Sequence, residues 1–122
     1  MEKVESIPHT LLETSSYVKA VSQFWSEDEQ REFKTFLGLN YQLGDIIPGT
    51  GGVRKIRWAA SGHGQRGGAR VIYYYYDEDE PIYLIFAYPK NVKANLTETE
   101  KKAIQLLVAQ IKKGIKEKRE SK

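Results

Sequence analysis

Hydrophobic positions in the first forty residues repeat at helical spacing. The stretch Thr14–Phe24 has apolar residues three and four positions apart, and so does Ser26–Leu39. The second stretch opens with Ser26 followed three residues later by Glu29, which is the pattern of a capping box. Residues 4–13 before them are extended in character. This part of the chain therefore predicts a short strand followed by a helical hairpin.

After the turn-rich segment Asn40–Gly52, the hydrophobic pattern changes to that of strands. Three segments, Val53–Ala60, Ala69–Asp77 and Pro81–Tyr88, are rich in β-branched and aromatic residues and are bounded by turn residues. They predict two consecutive hairpins. The last segment is almost entirely apolar, which predicts a strand at the centre of the sheet with both faces covered.

A second capping box, formed by Thr97 and Glu100, precedes an apolar stripe at helical spacing. The highly charged end of this helix is expected to fray. The stripe consists of Ala103, Ile104, Leu107, Val108, Ile111 and Ile115. The predicted fold is α+β over one domain, residues 1–122: an N-terminal strand and helical hairpin, an antiparallel sheet and a C-terminal helix, with the helices on one side of the sheet.

Strand alternation divides the basic residues of the first hairpin strand between two faces. Lys55 and Arg57 share a face with Val53, whereas Arg54 shares the other face with Trp58. A bulge or a strong twist would change this division. The pattern thus predicts basic side chains on both sides of the sheet.

Charge is distributed unevenly along the chain. The net charge is +3, but residues 1–52 hold 4 Lys/Arg against 8 Asp/Glu, and residues 53–122 hold 15 against 8. The stretch between Ile46 and Tyr76 contains no acidic residue. A concentrated basic surface attracts polyanions such as nucleic acid. A solvated face on an ordinary protein remains the alternative.

Composition excludes several classes of protein. There is no cysteine, so disulfides, thiolate nucleophiles and cysteine metal sites are excluded, and a reducing, cytoplasmic location is expected. The first thirty residues lack the apolar core of a signal peptide, and no segment approaches the roughly 20 apolar residues of a membrane helix. The chain is expected neither to be exported by a visible signal nor to span a membrane.

The glycine-rich stretch Gly49–Gly68 does not have the spacing of a nucleotide-binding loop. Its last part, Ser61–Gly68, links two predicted strands and carries His63 and Arg66. Two interpretations remain open for this segment. It is either a flexible tip that closes on an extended ligand or a plain solvent-exposed hairpin loop.

Three motifs in order, GTGGVRKIRWA, GQRGGARVIYYYY and IYLIFAYPKN, resemble the HigB-type branch of the RelE toxin superfamily. The resemblance is close over about Leu37–Asn91. It implies a compact α+β fold and a toxin that cleaves mRNA in the ribosomal A site. It also implies a neutralising antitoxin, HigA-like and often a helix-turn-helix DNA binder, and therefore a toxin–antitoxin hetero-oligomer.

Metal-free RNA cleavage requires removal of a proton from the 2′-OH, stabilisation of charge on the phosphoryl oxygens and departure of the 5′-oxygen. Arginine and lysine suit the second requirement, and aromatic rings stack on unpaired bases. No metal or cofactor is expected. The resemblance matches Arg54 and Arg57 to basic residues of the family's first sheet strand, Arg66 to the loop arginine that contacts the scissile phosphate, and Lys90 to the basic residue after the last strand. Four further residues are candidates for RNA contact: Lys55, Trp58, His63 and Arg70.

The chain departs from some relatives in one respect. They use a tyrosine in the C-terminal segment, whereas here no aromatic residue follows Tyr88. Either Tyr88 or His63 substitutes for that group, or the site works by charge stabilisation alone. Two non-enzymatic alternatives also remain: an RNA- or ribosome-binding module without catalysis, and an adaptor whose basic face meets an acidic partner.

Overall fold

The computed structural model describes residues 9–59, 68–93 and 95–121, which form three helices and a five-stranded sheet. The predicted α+β class is confirmed. The elements in chain order are β1 Leu11–Glu13, α1 Ser15–Val21, α2 Glu27–Leu39, β2 Asp45–Ile46, β3 Val53–Ala59, β4 Gly68–Tyr74, β5 Ile82–Pro89 and α3 Glu98–Glu120.

Side-chain caps fix where the helices begin. The Thr14 side chain accepts a hydrogen bond from the Tyr17 N–H at the start of α1. Both predicted capping boxes, at Ser26 before α2 and at Thr97 before α3, are formed. Each box satisfies backbone N–H groups that have no partner inside the helix.

The sheet has the strand order β1-β5-β4-β3-β2. The two predicted hairpins are confirmed, because β4 pairs antiparallel with both β3 and β5. The last strand, β5, is an interior strand with both faces covered, as predicted, but it is not the middle strand: β4 is central, and β5 lies between β4 and β1. The short β1 pairs with β5 in parallel. The edge strand β2 pairs with β3 and lies in the segment that the sequence predicted as turns.

Helices cover both faces of the sheet, which contradicts the expectation that all of them lie on one side. Tyr17 of α1 and Phe33 of α2 pack with Val71 and Tyr73 of β4. The alternate β4 residues Ile72 and Tyr74 pack instead with Ile104 and Val108 of α3. We call these the α1/α2 face and the α3 face. Because successive β4 side chains are apolar on both sides, each face requires its own cover.

The end of α3 is anchored and does not fray as predicted. The Glu80 side chain, only 2% exposed, accepts hydrogen bonds from Lys118 at 2.9 Å and Arg119 at 3.2 Å. Arg119 also pairs with Asp77 at 3.0 Å. These ion pairs join the last turns of α3 to the β4–β5 connection. No helix in the described ranges is long and apolar enough to cross a membrane.

Candidate functional site

Three side chains form a row across the α3 face. Arg57 of β3 is the direct cross-strand partner of Arg70 of β4, and Arg70 is the partner of Tyr88 of β5. Arg57 is exposed, Arg70 is half-buried and Tyr88 is 3% exposed. Within the described residues, no carboxylate lies at ion-pair distance from either arginine. The Arg57–Arg70–Tyr88 row is therefore a cationic strip beside a buried phenol.

A β-bulge in β5 places Tyr88 in this row. Tyr73 pairs with Leu84, but its neighbour Ile72 pairs with Phe86, so Ile85 is the extra residue. A shift of one residue moves every following side chain to the opposite face of a strand. Without the bulge, Tyr88 would lie on the α1/α2 face. The bulge thus places the Tyr88 phenol on the same face of the sheet as the two arginines.

The surroundings of Tyr88 keep its hydroxyl protonated at neutral pH. Burial raises the pKa of Tyr88, and the nearby Arg70 charge offsets only part of that effect. The Lys93 ammonium lies 5.1 Å from the centre of the Tyr88 ring and forms an ion pair with Glu100 at the start of α3. Burial alone would raise the pKa of Glu100, but hydrogen bonds from Lys93 and Thr97 hold it below its usual range. In this state Tyr88 is a hydrogen-bond or proton donor and not a base.

The two candidate lysines, Lys55 and Lys90, lie near the row. Lys55 is on the α3 face, opposite Ile72, and its ammonium donates to the Asn95 side-chain oxygen at 3.3 Å. Lys90 follows β5; its side chain is exposed and its backbone N–H donates to the Gly68 carbonyl at 3.0 Å. Each therefore carries a cation close to one end of the Arg57–Arg70–Tyr88 row.

A groove of about 460 Å³ runs beside Tyr88, between α1 and the end of β5. Its walls are mainly apolar and aromatic, and lysines from α1 and from the segment after β5 also line it. The residues that matter here are Lys19, Phe24, Phe86, Tyr88, Val92 and Lys93. Its walls suit a flat, uncharged group attached to an anionic chain.

The family model described as the RelE toxin of the RelE / RelB toxin–antitoxin system matches residues 44–121. This segment is more than half of the chain and includes β2 to β5 and α3. The chain belongs to the RelE toxin family. As a RelE-family toxin it is one partner of a toxin–antitoxin pair, and the match contains all three residues of the Arg57–Arg70–Tyr88 row.

Two candidates lie on the other side of this toxin's sheet, as the alternation along β3 predicted. The Arg54 guanidinium donates to the carbonyls of Gln42 at 3.1 Å and Gly44 at 2.8 Å. The Trp58 ring stacks on Phe36 of α2, with ring centres 4.4 Å apart. Both side chains are engaged in holding α2 and the loop after it, so they are not part of the row.

His63 and Arg66 lie outside the described residues, so their predicted roles stay predictions. Two residues near the row were not identified from the sequence: Lys93, above the Tyr88 ring, and Asn95, which binds Lys55. Their only signal is their position soon after Lys90. Within the described ranges, no group of three or more His, Asp or Glu side chains is arranged to hold a metal ion.

Proposed function

We propose that this RelE-family toxin is a ribosome-dependent endoribonuclease of the HigB type, which stops translation by cutting mRNA in the cytoplasm. The observation that carries the proposal is the placement of Arg57 directly opposite Arg70. Like charges facing each other across two strands destabilise a sheet. A phosphate bound between them would offset that repulsion, because a guanidinium binds phosphate oxygens through two parallel hydrogen bonds.

The proposed reaction needs no metal. The 2′-oxygen forms a bond to the adjacent phosphorus, the bond from phosphorus to the 5′-oxygen breaks, and a 2′,3′-cyclic phosphate is left. The proton of the 2′-OH passes to solvent water, and the departing 5′-oxygen takes a proton from Tyr88, which water then reprotonates, or directly from water. In the proposal, Arg57, Arg66 and Lys90 stabilise charge on the phosphoryl oxygens, and Tyr88 donates to the reacting phosphate or to the leaving oxygen.

In this account Arg70 binds the scissile phosphate opposite Arg57, and Lys55 and His63 contact the RNA backbone around it. An unpaired base stacks in the groove beside Tyr88, where Phe24 and Phe86 supply aromatic surface. Arg54 and Trp58 are assigned a supporting role, because their side chains are bonded to or packed against the α2 region.

Cleavage of mRNA on purified, programmed ribosomes tests the proposal. The wild type should give cut transcripts, and Arg66→Ala should slow cutting by roughly 10²–10³-fold, the scale for loss of one transition-state donor. Arg66→Lys should restore it only in part, because an ammonium lacks the planar two-donor geometry. Intact mRNA with ribosome-bound wild type would favour the non-catalytic RNA-binding module. Binding that does not weaken with salt would favour an adaptor for an acidic protein.

The antitoxin is proposed to be HigA-like, with a helix-turn-helix DNA-binding domain, and to form a hetero-oligomer with the toxin. Coexpression of the neighbouring reading frame tests this. Restored growth together with a stable complex of the two proteins is the expected result. Continued toxicity with no complex would exclude that protein as the antitoxin.

A further inference from the structure

The Tyr88 side chain has room to rotate. The groove of about 460 Å³ between α1 and the end of β5 adjoins it, and Tyr88 is the last residue but one of that strand. A tyrosine side chain has several staggered rotamers, and space beside it allows more than one of them. The hydroxyl can donate to a phosphate held by Arg57 and Arg70 only from a rotamer that points toward them. Contacts other than the strand itself must therefore hold the ring.

Lys93 lies over the Tyr88 ring. Its ammonium is 5.1 Å from the centre of that ring and 5.5 Å from the centre of the Phe86 ring. All three side chains line the groove. A cation is attracted to an aromatic face, and more strongly where water is partly excluded; the Lys93 side chain is 26% exposed. The ammonium is thus placed to restrict the ring on its groove side.

Glu100 fixes this ammonium. A lysine side chain on its own is too flexible to hold a neighbour in place. Oε2 of Glu100 accepts a hydrogen bond from the Lys93 ammonium, and Oε1 accepts one from the Thr97 N–H at 2.8 Å. The Glu100 N–H in turn donates to the Thr97 side chain at 3.1 Å. The capping box at the start of α3 therefore holds the carboxylate, and the carboxylate holds the lysine.

The charge of Glu100 also acts on Tyr88 itself. Burial is the main cause of the raised pKa of Tyr88; the Arg70 charge lowers this pKa, and the Glu100 charge raises it. The carboxylate therefore favours the protonated phenol. This is the form in which Tyr88 can donate.

We propose that the Lys93–Glu100 ion pair is a positioning pair for Tyr88, which holds the phenol toward Arg57 and Arg70 so that it donates to the reacting phosphate. This inference rests on the proposed function. Both residues act through Tyr88 and are not themselves catalytic. Two simpler roles are the alternatives: an ion pair that serves only the start of α3, and a lysine that binds RNA phosphate without affecting the ring.

Two substitutions break the pair and keep its surroundings. Lys93→Met retains a long unbranched side chain beside the rings but removes the charge. Glu100→Gln retains the capping box, which either residue can form, but removes the ion pair. Lys93→Arg keeps the charge. The control is the pair Glu98–Lys101, 3.7 Å apart on the same turn of α3, where Glu98→Gln and Lys101→Met remove the same charges.

Single-turnover cleavage on programmed ribosomes at saturating toxin is the first measurement. Lys93→Met and Glu100→Gln should each cut about 10–10²-fold more slowly, the scale for a small misplacement of a reacting group. Lys93→Arg should regain most of the rate. The two control variants should stay within about twofold of wild type, as expected for an exposed pair. An equal loss in the controls would overturn the proposal, since ion pairs at this turn would then serve only the helix.

A second substitution at Tyr88 shows whether Lys93 acts through that residue. In a Tyr88→Phe background, Lys93→Met should cause no further loss, because residues that act as one unit do not have additive effects. A loss as large as in the wild-type background would overturn the proposal. So would a Lys93→Met variant that binds ribosomes more weakly, with a shallower salt dependence, but cuts at the wild-type rate once bound, because Lys93 would then be a phosphate contact.

The ring can also be observed without RNA. In toxin labelled in its tyrosine side chains, NMR couplings should show one orientation of Tyr88 in wild type and averaging between rotamers in Lys93→Met and Glu100→Gln. The Tyr88→Phe variant assigns the signal. Should Lys93→Met fold poorly, Glu100→Gln must still show both the averaging and the slower cleavage.

The two measurements distinguish this inference from the proposed function. If the variants loosen Tyr88 but wild type cuts no mRNA, the proposed nuclease activity fails and the ordering of Tyr88 by the pair stands. If wild type cuts mRNA and Tyr88 is equally ordered in all variants, the nuclease stands and the positioning proposal fails.

Discussion

Arg54 and Arg57 lie on the same strand but extend from opposite faces of the sheet. Arg54 bonds to the carbonyls of Gln42 and Gly44, on the side covered by α1 and α2, whereas Arg57 is exposed beside Arg70. The Gly44 N–H in turn donates to the Tyr73 hydroxyl at 2.9 Å. Arg54 and Tyr73 therefore hold the loop after α2 together, and of the two β3 arginines it is Arg57 that is available to a ligand on the α3 face.

Replacing each arginine by glutamine should separate these roles. Arg54→Gln should lower the free energy of unfolding by about 1–3 kcal/mol, because charged hydrogen bonds to backbone carbonyls are lost. Arg57→Gln should leave it unchanged or raise it by up to about 1 kcal/mol, because the side chain is exposed and its loss relieves the repulsion with Arg70. Urea denaturation of the two variants measures the difference. Equal stabilities would show that Arg54 does not hold the loop.

Removing the Tyr88 hydroxyl should affect cleavage more than folding. Tyr88→Phe keeps the ring that packs with Leu96 and Phe86 but removes the donor. If the phenol transfers a proton, cleavage should slow by about 10²–10⁴-fold. Tyr83→Phe is a matched control, because Tyr83 lies on the same strand and face but pairs with Tyr74 away from the row. A Tyr88→Phe variant that cuts mRNA at the wild-type rate would remove Tyr88 from the mechanism.

Much of the fold could be predicted because local signals specify it. The capping boxes at Ser26 and Thr97 mark helix starts, and the alternation along β3 places Arg54 and Arg57 on different faces. Which face of the sheet each helix covers could not be predicted from these local signals. The apolar run of β4 is compatible with either arrangement until its cross-strand partners are known.

The composition of the row could not be predicted, because it depends on register. Arg70 and Tyr88 become partners through the extra residue Ile85, and nothing in the apolar segment before Tyr88 marks that position as a bulge. The parallel pairing of β1 with β5 is a contact between residues about 70 positions apart, which a local pattern does not show. The anchored end of α3 could not be predicted for the same reason, since Glu80 is distant in sequence from Lys118.

Loss of the Glu80 charge should loosen the end of α3. Hydrogen bonds from Lys118, followed by those from Arg119, hold the pKa of Glu80 below its usual range against the effect of burial. The resulting stabilisation is present above the unfolded pKa and is lost as pH falls below it. Glu80→Gln should cost about 1–2 kcal/mol, because the two cationic partners are partly exposed. Faster amide exchange over residues 115–120 than in wild type is expected; unchanged exchange would mean that the ion pairs do not anchor the helix.

Alkaline pH should destabilise the protein through its buried tyrosines. Burial raises the pKa of Tyr74 to about 12 and also raises the pKa values of Tyr73, Tyr83 and Tyr88. Tyrosine in the unfolded chain has a pKa of about 10, so the unfolded chain loses its tyrosine protons first as pH rises. Stability should therefore be complete below about pH 10 and should fall above it. Urea denaturation at pH 8 and pH 11 checks this, and equal free energies of unfolding would contradict it.

The central claim is that the Arg57–Arg70–Tyr88 row cuts ribosome-bound mRNA, and the single-turnover cleavage rate of Arg70→Gln tests it most directly. Arg70 lies between the other two residues, and its loss also removes the repulsion with Arg57. The free energy of unfolding of the variant, measured in urea, should equal that of wild type or exceed it by up to about 1 kcal/mol. Its cleavage on programmed ribosomes should slow by about 10–10³-fold at saturating toxin. A variant that is as stable as wild type and cuts mRNA as fast would contradict the assignment of the site to this face.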